Sequence, residues 1–217
     1  MKQKFILLFC VFCVISILIP AHIFCLDITV GGKAGFGHSG YSGSDHRDYL
    51  DSINHKNAFY PKFTFGGFAT VVVTEMIDIQ PELLLDFIGA KGKSKDNDDW
   101  FKERFTYLSI PVLAKINFTV LNQKLYCIAG PGFSILLGDG KEIRETGGSE
   151  TKDDIDKDIL NSFLLTATAG VGYNWLLAKD RLLTFDLRFN YTISTVYDDD
   201  NHRLYSIALM AGYGLNL

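Results

Sequence analysis

Hydrophobic and polar residues alternate with a period of two along most of this chain. The clearest segment is 182–193, where one face carries Leu183, Phe185, Leu187, Phe189, Tyr191 and Ile193. The residues between them are Thr184, Asp186, Arg188, Asn190 and Thr192. Successive side chains of a β-strand point to opposite faces. The segment is therefore predicted to be a strand with one apolar face and one polar, charged face.

Seven further segments show readable alternation, which gives eight predicted strands. They lie near 28–37, 61–74, 77–87, 104–118, 124–138, 163–175 and 205–217. The connections near 38–60, 93–103, 139–160 and 196–203 are polar and mostly long, whereas those near 75–77, 119–123 and 177–180 are tight. Long connections that alternate with short ones are typical of an up-and-down transmembrane barrel with short periplasmic turns. The predicted strands have the roughly 9–11 residues that a tilted membrane crossing needs.

The side chains on the two faces indicate which face points outward. The polar face carries charged residues at Lys33, Glu82, Asp86, Lys115, Asp186 and Arg188, while the apolar face carries large aromatic and branched residues. A soluble barrel such as a lipocalin has an apolar interior, and a membrane barrel has the opposite arrangement. We therefore predict an all-β fold, an eight-stranded antiparallel up-and-down transmembrane β-barrel. A soluble sandwich and a secreted lipocalin-like ligand binder are the alternatives.

Three Gly-x-Gly pairs fall at equivalent depth in three predicted strands. They are Gly130 and Gly132, Gly170 and Gly172, and Gly212 and Gly214. Glycine on the inner face lets strands curve and leaves room for long side chains opposite. In a soluble sandwich the same glycines would be bulges.

The N-terminus has the organisation of a secretory signal peptide. Lys2 and Lys4 precede an uncharged apolar stretch at 5–19, and Pro20 ends it. We expect residues 1–25 to be the signal peptide, cleaved between 21 and 25, and residues 26–217 to form the outer-membrane barrel domain. A permanent anchor and lipoprotein processing at Cys25 are the competing interpretations. Of four cysteines, only Cys127 lies clearly beyond this segment, so neither an intramolecular disulfide nor a cysteine metal site is expected.

Four short motifs, in this order, carry a family resemblance. They are GGKAG at 31–35, PELLL at 81–85, YLSIPVLAK at 107–115 and AGPGF at 129–133. On these motifs the chain resembles the PorT-like outer-membrane β-barrel family and, more distantly, the OmpX and OmpW barrels. The resemblance implies a cell outer membrane location and a closed barrel. Pro111 lies within a predicted strand, where a proline is expected at a bulge.

Other motifs give little support for an enzyme or a cofactor site. Residues 35–40 match a dinucleotide fingerprint, but a polar loop follows where that fingerprint needs a helix N-terminus. His38, His46 and His55 share a loop with several aspartates, at a spacing too irregular to predict a metal site. No nucleophile elbow is present. We expect no enzymatic activity, no cofactor and no metal.

Five inward charged residues are the candidate functional positions. They are Glu82, Asp86, Lys115, Asp186 and Arg188. Charges in a narrow lumen must pair, because unpaired burial costs several kcal/mol. Two hypotheses follow: a salt-bridge plug that holds the barrel closed, or a gate that rearranges to open a small pore.

The function predicted from the sequence is that of a structural or surface-interacting outer-membrane barrel with a charged, plugged lumen and exposed loops. The alternative is an OmpW-like channel for small apolar molecules, which inward apolar residues near the outer mouth would favour. Expected partners are outer-membrane lipid, the barrel-assembly machinery during insertion, and a small apolar ligand or an external surface partner. The net charge of −4 gives no electrostatic reason to expect nucleic-acid binding.

Overall fold

Antiparallel strands make up most of the chain in a computed structural model that describes residues 27–120, 123–178, 180–197 and 201–217. The predicted signal peptide, 1–25, lies outside the described residues. The strands are β1 (Ile28–Ser42), β2 (His55–Ala58), β3 (Tyr60–Val72), β4 (Ile77–Ser94), β5 (Trp100–Val120), β6 (Gln123–Leu136), β7 (Gly140–Thr146), β8 (Ser149–Ile155), β9 (Phe163–Ala178), β10 (Arg181–Thr192) and β11 (Arg203–Asn216). The helices are α1 (Ser44–Ser52) and a 3₁₀ turn (Lys157–Ile159). In the described part of the chain, no helix has the length and hydropathy of a membrane span.

Eight of these strands pair in a closed ring. The order around the ring is β1, β3, β4, β5, β6, β9, β10 and β11, and β11 pairs back to β1. Every pairing in the ring is antiparallel. The register places Lys33 of β1 between Gly212 of β11 and Gly66 of β3. The predicted fold class, with its eight strands and up-and-down order, is confirmed. Closure satisfies the backbone of both the first and the last strand, which an open sheet would leave unpaired.

The remaining strands extend the ring at one end. β2 pairs with the end of β4, and β7 pairs with the start of β5 and with β8. We call this the loop end, because it carries the long connections; the opposite, turn end carries the tight ones. The segment 139–160, predicted as a solvated loop, contains the β7–β8 hairpin instead. The segment is rich in charged residues and has no alternating apolar positions. The sequence pattern therefore did not reveal that its backbone pairs with β5.

The interior of the ring is polar and its exterior is apolar. Lys115, Asp186 and Arg188 are no more than 3 % exposed. On the outer face, Leu187 is 49 % exposed and Leu209 is 63 % exposed. This confirms the predicted arrangement of the two faces, and it is the reverse of the apolar interior that a lipocalin-like binder would need. An outer wall of this kind is stable in lipid, where apolar side chains meet acyl chains and the paired backbone needs no water.

Pro111 lies within β5 without a bulge, which corrects the expectation from the sequence. On one side Pro81 opposes Val112 and Leu84 opposes Ser109, which is one continuous register. On the other side Pro111 opposes Gly132, again in the register that continues along β6. Proline removes one N–H donor, and the long paired strands on both sides accommodate that loss without a register shift.

Candidate functional site

Four charged side chains meet in the middle of the lumen. The guanidinium of Arg188 donates to both carboxylate oxygens of Glu82, with Nη1–Oε2 at 2.6 Å and Nη2–Oε1 at 2.9 Å. Lys33 Nζ lies 2.9 Å from Glu82 Oε1 and 3.5 Å from Asp186 Oδ2. Arg188 also contacts Asp186 through Nε. We call Lys33, Glu82, Asp186 and Arg188 the ionic barrier.

The charges of the ionic barrier sum to zero, with two cations and two carboxylates. Each of the four residues is no more than 5 % exposed. Charged groups that are removed from water need partners in good hydrogen-bonding geometry. Arg188 and Glu82 form a bidentate pair, which is among the strongest types of charge-assisted hydrogen bond. A further donor, Gln80 Nε2, reaches Glu82 Oε1 at 2.6 Å. The arrangement therefore fills the centre of the lumen without leaving a member of the barrier unpaired.

Inward glycines make room for this cluster. Gly172 opposes Asp186 in the β9–β10 pairing and Tyr126 in the β6–β9 pairing. A Cβ at Gly172 would lie 2.3 Å from Tyr126 Cζ, which is far inside van der Waals contact. The Tyr126 hydroxyl then donates to Asp186 Oδ2 at 3.1 Å. The absence of a side chain at Gly172 therefore leaves space for the Tyr126 ring, whose hydroxyl is hydrogen-bonded to the Asp186 carboxylate.

Asp86 lies nearer the loop end and pairs with a lysine that the sequence analysis did not single out. Lys62 Nζ lies 2.9 Å from Asp86 Oδ1 and donates to Ser206 Oγ at 3.2 Å. Thr64 Oγ1 also donates to Asp86, at 2.5 Å. The alternation of β3 places Lys62 on the polar face with Thr64, so a closer reading of that weak segment could have found it.

Lys115 is separate from both ion pairs. Among the described residues, its ammonium forms no salt bridge; it donates to Asn174 Oδ1 at 3.2 Å and lies 4.1 Å from the centre of the Tyr126 ring. Asp78, farther toward the turn end, accepts from Asn117 Nδ2 at 2.7 Å. Of the five predicted charged residues, the structure therefore brings together Glu82, Asp186 and Arg188, and places Asp86 and Lys115 elsewhere in the lumen.

A small chamber with both polar and apolar lining lies between the ionic barrier and the loop end. Its volume is about 60 Å³, and its lining includes Lys62, Asp86, Ser109, Asn190 and Ser206, with Arg188 below. A cavity of this size has room for a few water molecules beside its polar groups. Tyr107 also lines the chamber, and within the described residues its buried hydroxyl has no hydrogen-bond partner. A bound water there would satisfy the hydroxyl.

Above the chamber the lumen is closed by an apolar cluster, which we call the apolar cap. It consists of Tyr41, Ala90, Phe105, Tyr107, Leu136, Ile155, Leu160, Leu164, Val196 and Leu204. Leu160 and Val196 come from the connections between strands, and Val196 is fully buried. Leu160 forms an isolated bridge with Tyr197 that joins these two connections. The sequence analysis missed the cap, because its loop members follow no alternation.

A polar cluster holds α1 and the β10–β11 connection onto the cap. The hydroxyls of Tyr41 and Tyr197 both donate to Glu103, the latter at 2.8 Å. His46 of α1 packs edge-on against Tyr41 and against His202, with ring centres 5.2 Å and 5.4 Å apart. Burial lowers the pKa of His46, and nearby His202 lowers it further, while the hydrogen bond to Asn57 acts in the opposite direction.

The other residues considered in the sequence lie apart. His38 contacts Tyr60 and Tyr205, while His55 contacts the Ile53 carbonyl. Within the described residues no group of three or more His, Cys, Asp or Glu side chains is placed to hold a metal ion. The dinucleotide-like segment 35–40 lies within β1, where no helix N-terminus is available for a phosphate.

Comparison with known proteins gives one family and several solved structures. Residues 22–198 match the outer membrane protein beta-barrel domain family. The outer membrane protein OprG from Pseudomonas aeruginosa is 10% identical with a TM-score of 0.50, covering 89% of this chain and 96% of OprG. Neisserial surface protein A is 19% identical with a TM-score of 0.42, covering 88% of this chain and 97% of that protein. AlkL in lipid bilayers is 13% identical with a TM-score of 0.42, covering 91% of this chain and 95% of AlkL. No curated protein sequence matches.

Proposed function

This chain belongs to the outer membrane protein beta-barrel domain family, and we propose that it is a sealed, non-enzymatic barrel whose loop end contacts molecules outside the cell. As an integral protein of the outer membrane it presents its apolar wall to lipid. Its tight turns face the periplasm, as in other barrels of this architecture. The motif order at 31–35, 81–85, 107–115 and 129–133 supports a PorT-like subfamily within that family.

The observation that carries this proposal is that the lumen is closed twice. The ionic barrier fills its centre, and the apolar cap closes its loop end. A straight aqueous path would have to separate buried ion pairs and also displace a packed apolar cluster. The lumen therefore supports the barrel, and the plug hypothesis is preferred to the gate hypothesis for Glu82, Asp186 and Arg188.

Contact with an external partner would fall to the loop end. There α1, β2 and the β7–β8 hairpin extend beyond the ring, and nearly all of β8 is exposed. In this role the expected partners are outer-membrane lipid around the wall, the barrel-assembly machinery during insertion, and a surface partner at the loops. We propose no nucleic-acid partner and no cofactor.

A channel for small apolar molecules is the second candidate. It is favoured by the apolar side chains near the outer mouth, among them Leu136, Leu164 and Leu204. Displacement of Leu160 and Val196 with their connections would uncover an apolar entrance. Below the chamber the solute would then meet the ionic barrier, so it would have to leave through the wall instead of passing straight down the lumen.

Reconstitution separates the two candidates. The mature chain, folded in detergent and checked by its mobility in SDS with and without boiling, is placed in planar bilayers and in proteoliposomes. A sealed barrel gives no steady ion conductance and no faster uptake of a small apolar fluorophore than empty liposomes give. Faster uptake without conductance would favour the apolar channel. Steady conductance by the unmodified protein would overturn the sealed barrel.

A further inference from the structure

A groove of about 890 Å³ lies on the outer wall over β3, β4 and β5 at the loop end. Its apolar part consists of outward rings, each between 37 % and 62 % exposed: Phe59, Phe63, Phe65 and Phe87. Its other part carries four cationic side chains: Lys91, Lys102, Arg104 and Lys141. We call these four residues the basic cluster.

The strand register places the basic cluster above Phe63, Phe65 and Phe87, toward the loop end, while Phe59 lies near the height of Lys91. Phe87 opposes Thr106, the next outward position on β5 is Arg104, and Lys102 follows. At about 3.3 Å per residue, Arg104 lies about 7 Å and Lys102 about 13 Å from the level of Phe87. The groove thus has an apolar part within the membrane wall and a cationic part at the height of lipid headgroups.

The basic cluster contains two like-charge pairs directly across strands. Lys91 opposes Lys102, and Arg104 opposes Lys141. Like charges in this position destabilise a sheet. The groove lining contains these four cations and one carboxylate, that of Asp139, which has interactions of its own. The lining of the groove therefore carries a net positive charge, with four cations and one carboxylate.

Two neighbouring lysines at the loop end form salt bridges with aspartates. Lys93 lies 3.0 Å from Asp98, and Lys95 lies 2.9 Å from Asp51. In contrast, the ammonium groups of Lys91 and Lys102 lie over the ring of Trp100, at 4.8 Å and 4.6 Å from its centre. Trp100 positions both ammonium groups without cancelling their charge.

The cations of the basic cluster have no counterpart at the loop end of β9 and β10. On the opposite wall, the outward positions at the loop end of β9 and β10 are occupied by Phe163, Leu165 and Tyr191, and the exposed Ile193 follows β10. A general preference for cations near headgroups would place some there too. Arg203 of β11 lies nearby and is hydrogen-bonded to Tyr191. Of these two regions of the described outer wall, only the basic cluster groups four cations beside a groove with aromatic lining, and this grouping indicates a site for one molecule.

We propose that this groove binds an anionic, phosphate-bearing lipid of the outer leaflet. Arg104 and the lysines of the basic cluster hold the phosphate, since guanidinium and ammonium groups are the usual phosphate partners in proteins. The acyl chains lie along Phe63, Phe65 and Phe87. Bound lipid anion relieves the repulsion in both like-charge pairs, so binding also stabilises this end of the barrel.

Trp100 provides a direct readout once the second tryptophan is removed. The Trp175→Phe variant is folded in zwitterionic detergent and titrated with phosphatidylglycerol or with phosphatidylcholine, while Trp100 emission is recorded. We expect a saturable change with phosphatidylglycerol at concentrations at least tenfold below those needed for phosphatidylcholine.

A charge-matched pair of double variants tests the location. In the same background, Lys102→Gln with Arg104→Gln is compared with Lys93→Gln with Lys95→Gln, so that each loses two cations. The first is expected to weaken phosphatidylglycerol binding by roughly tenfold or more, and the second by less than about twofold. Equal losses in both would mean general attraction to charge and would overturn the site. Displacement of the lipid by an equal concentration of inorganic phosphate would overturn the acyl-chain contacts. Heat-modifiability of every variant verifies that the barrel is folded.

Discussion

The ionic barrier and the apolar cap close the same lumen by opposite means. All four residues of the barrier lie on strands of the ring, whereas the cap includes Leu160 and Val196 from the connections. Opening the barrier would leave buried charges unpaired, at a cost of about 3–5 kcal/mol for each broken pair. The cap can open by moving a connection, which exposes apolar area without breaking the ring. The comparison indicates that the barrier is a permanent part of the barrel and the cap is the closure that can move.

Removal of a barrier carboxylate should have the largest effect. Glu82→Ala leaves Arg188 and Lys33 with Asp186 as their one remaining carboxylate within the barrier. We expect the free energy of unfolding to fall by about 3–5 kcal/mol, measured by urea unfolding in detergent micelles with tryptophan fluorescence. Glu150→Ala is the control, because that carboxylate forms an exposed pair with Lys152 on β8. A loss below about 1 kcal/mol for Glu82→Ala would contradict the assignment of the barrier as a structural element.

Substitution of Gly172, which leaves space for the Tyr126 ring, should have the second largest effect on stability. Gly172→Ala places a Cβ against Tyr126 and against the Phe185 carbonyl, so the ring must move away from Asp186. Overpacking of this kind costs about 1–3 kcal/mol, and the temperature at which the barrel unfolds in SDS should fall accordingly. Gly32→Ala is the matched control, since its nearest neighbour would be 3.7 Å away. Equal shifts for the two variants would refute the packing explanation.

A substitution in the apolar cap should destabilise the nearby connection without destabilising the ring. Val196→Ala removes buried methyl groups, worth about 1–2 kcal/mol at about 0.8 kcal/mol per CH₂. Because Val196 lies on a connection, we expect faster proteolysis of the β10–β11 connection while the urea midpoint of the ring hardly changes. Ile193→Ala, at a position that is 49 % exposed, should leave the proteolysis rate as it is. A loss of ring stability as large as that of Glu82→Ala would remove the distinction between the two closures.

The smallest expected effect is the pH dependence of α1 docking. Burial lowers the pKa of His46 below its ordinary value, so the folded cap binds fewer protons than the opened one. The contribution of His46 is fully present above pH of about 6.5 and is lost as the pH falls through that value toward the lower folded pKa. Hydrogen exchange of α1 should therefore speed up a few-fold between neutral and mildly acidic pH, and less so in His46→Gln. An identical dependence in that variant would assign the effect to another group.

In the lumen, the sequence predicted the strands and the polar interior but not the partners of the charged residues. The strand alternation identified the eight strands of the ring and, in the strongly alternating segments, the face that points inward, because both depend on the local geometry of the pleat. The identity of the ion-pair partners depends on register between strands far apart in the chain. Lys115 was grouped with the other charges because it shares their face, yet it lies at a different height, beside Asn174 and Tyr126.

The sequence by itself determined that this protein is a barrel with a polar interior and an apolar wall, since a period of two fixes which side chains share a face. Only the tertiary structure decided which of those side chains meet. Closure of the ring brings Lys33, Glu82 and Arg188 together from three strands, and it sets Lys91 opposite Lys102 on the outer wall. It also folds two irregular connections into the apolar cap. These contacts depend on register and on loop paths, which follow from the packing of the whole ring and leave no periodic signal in the chain.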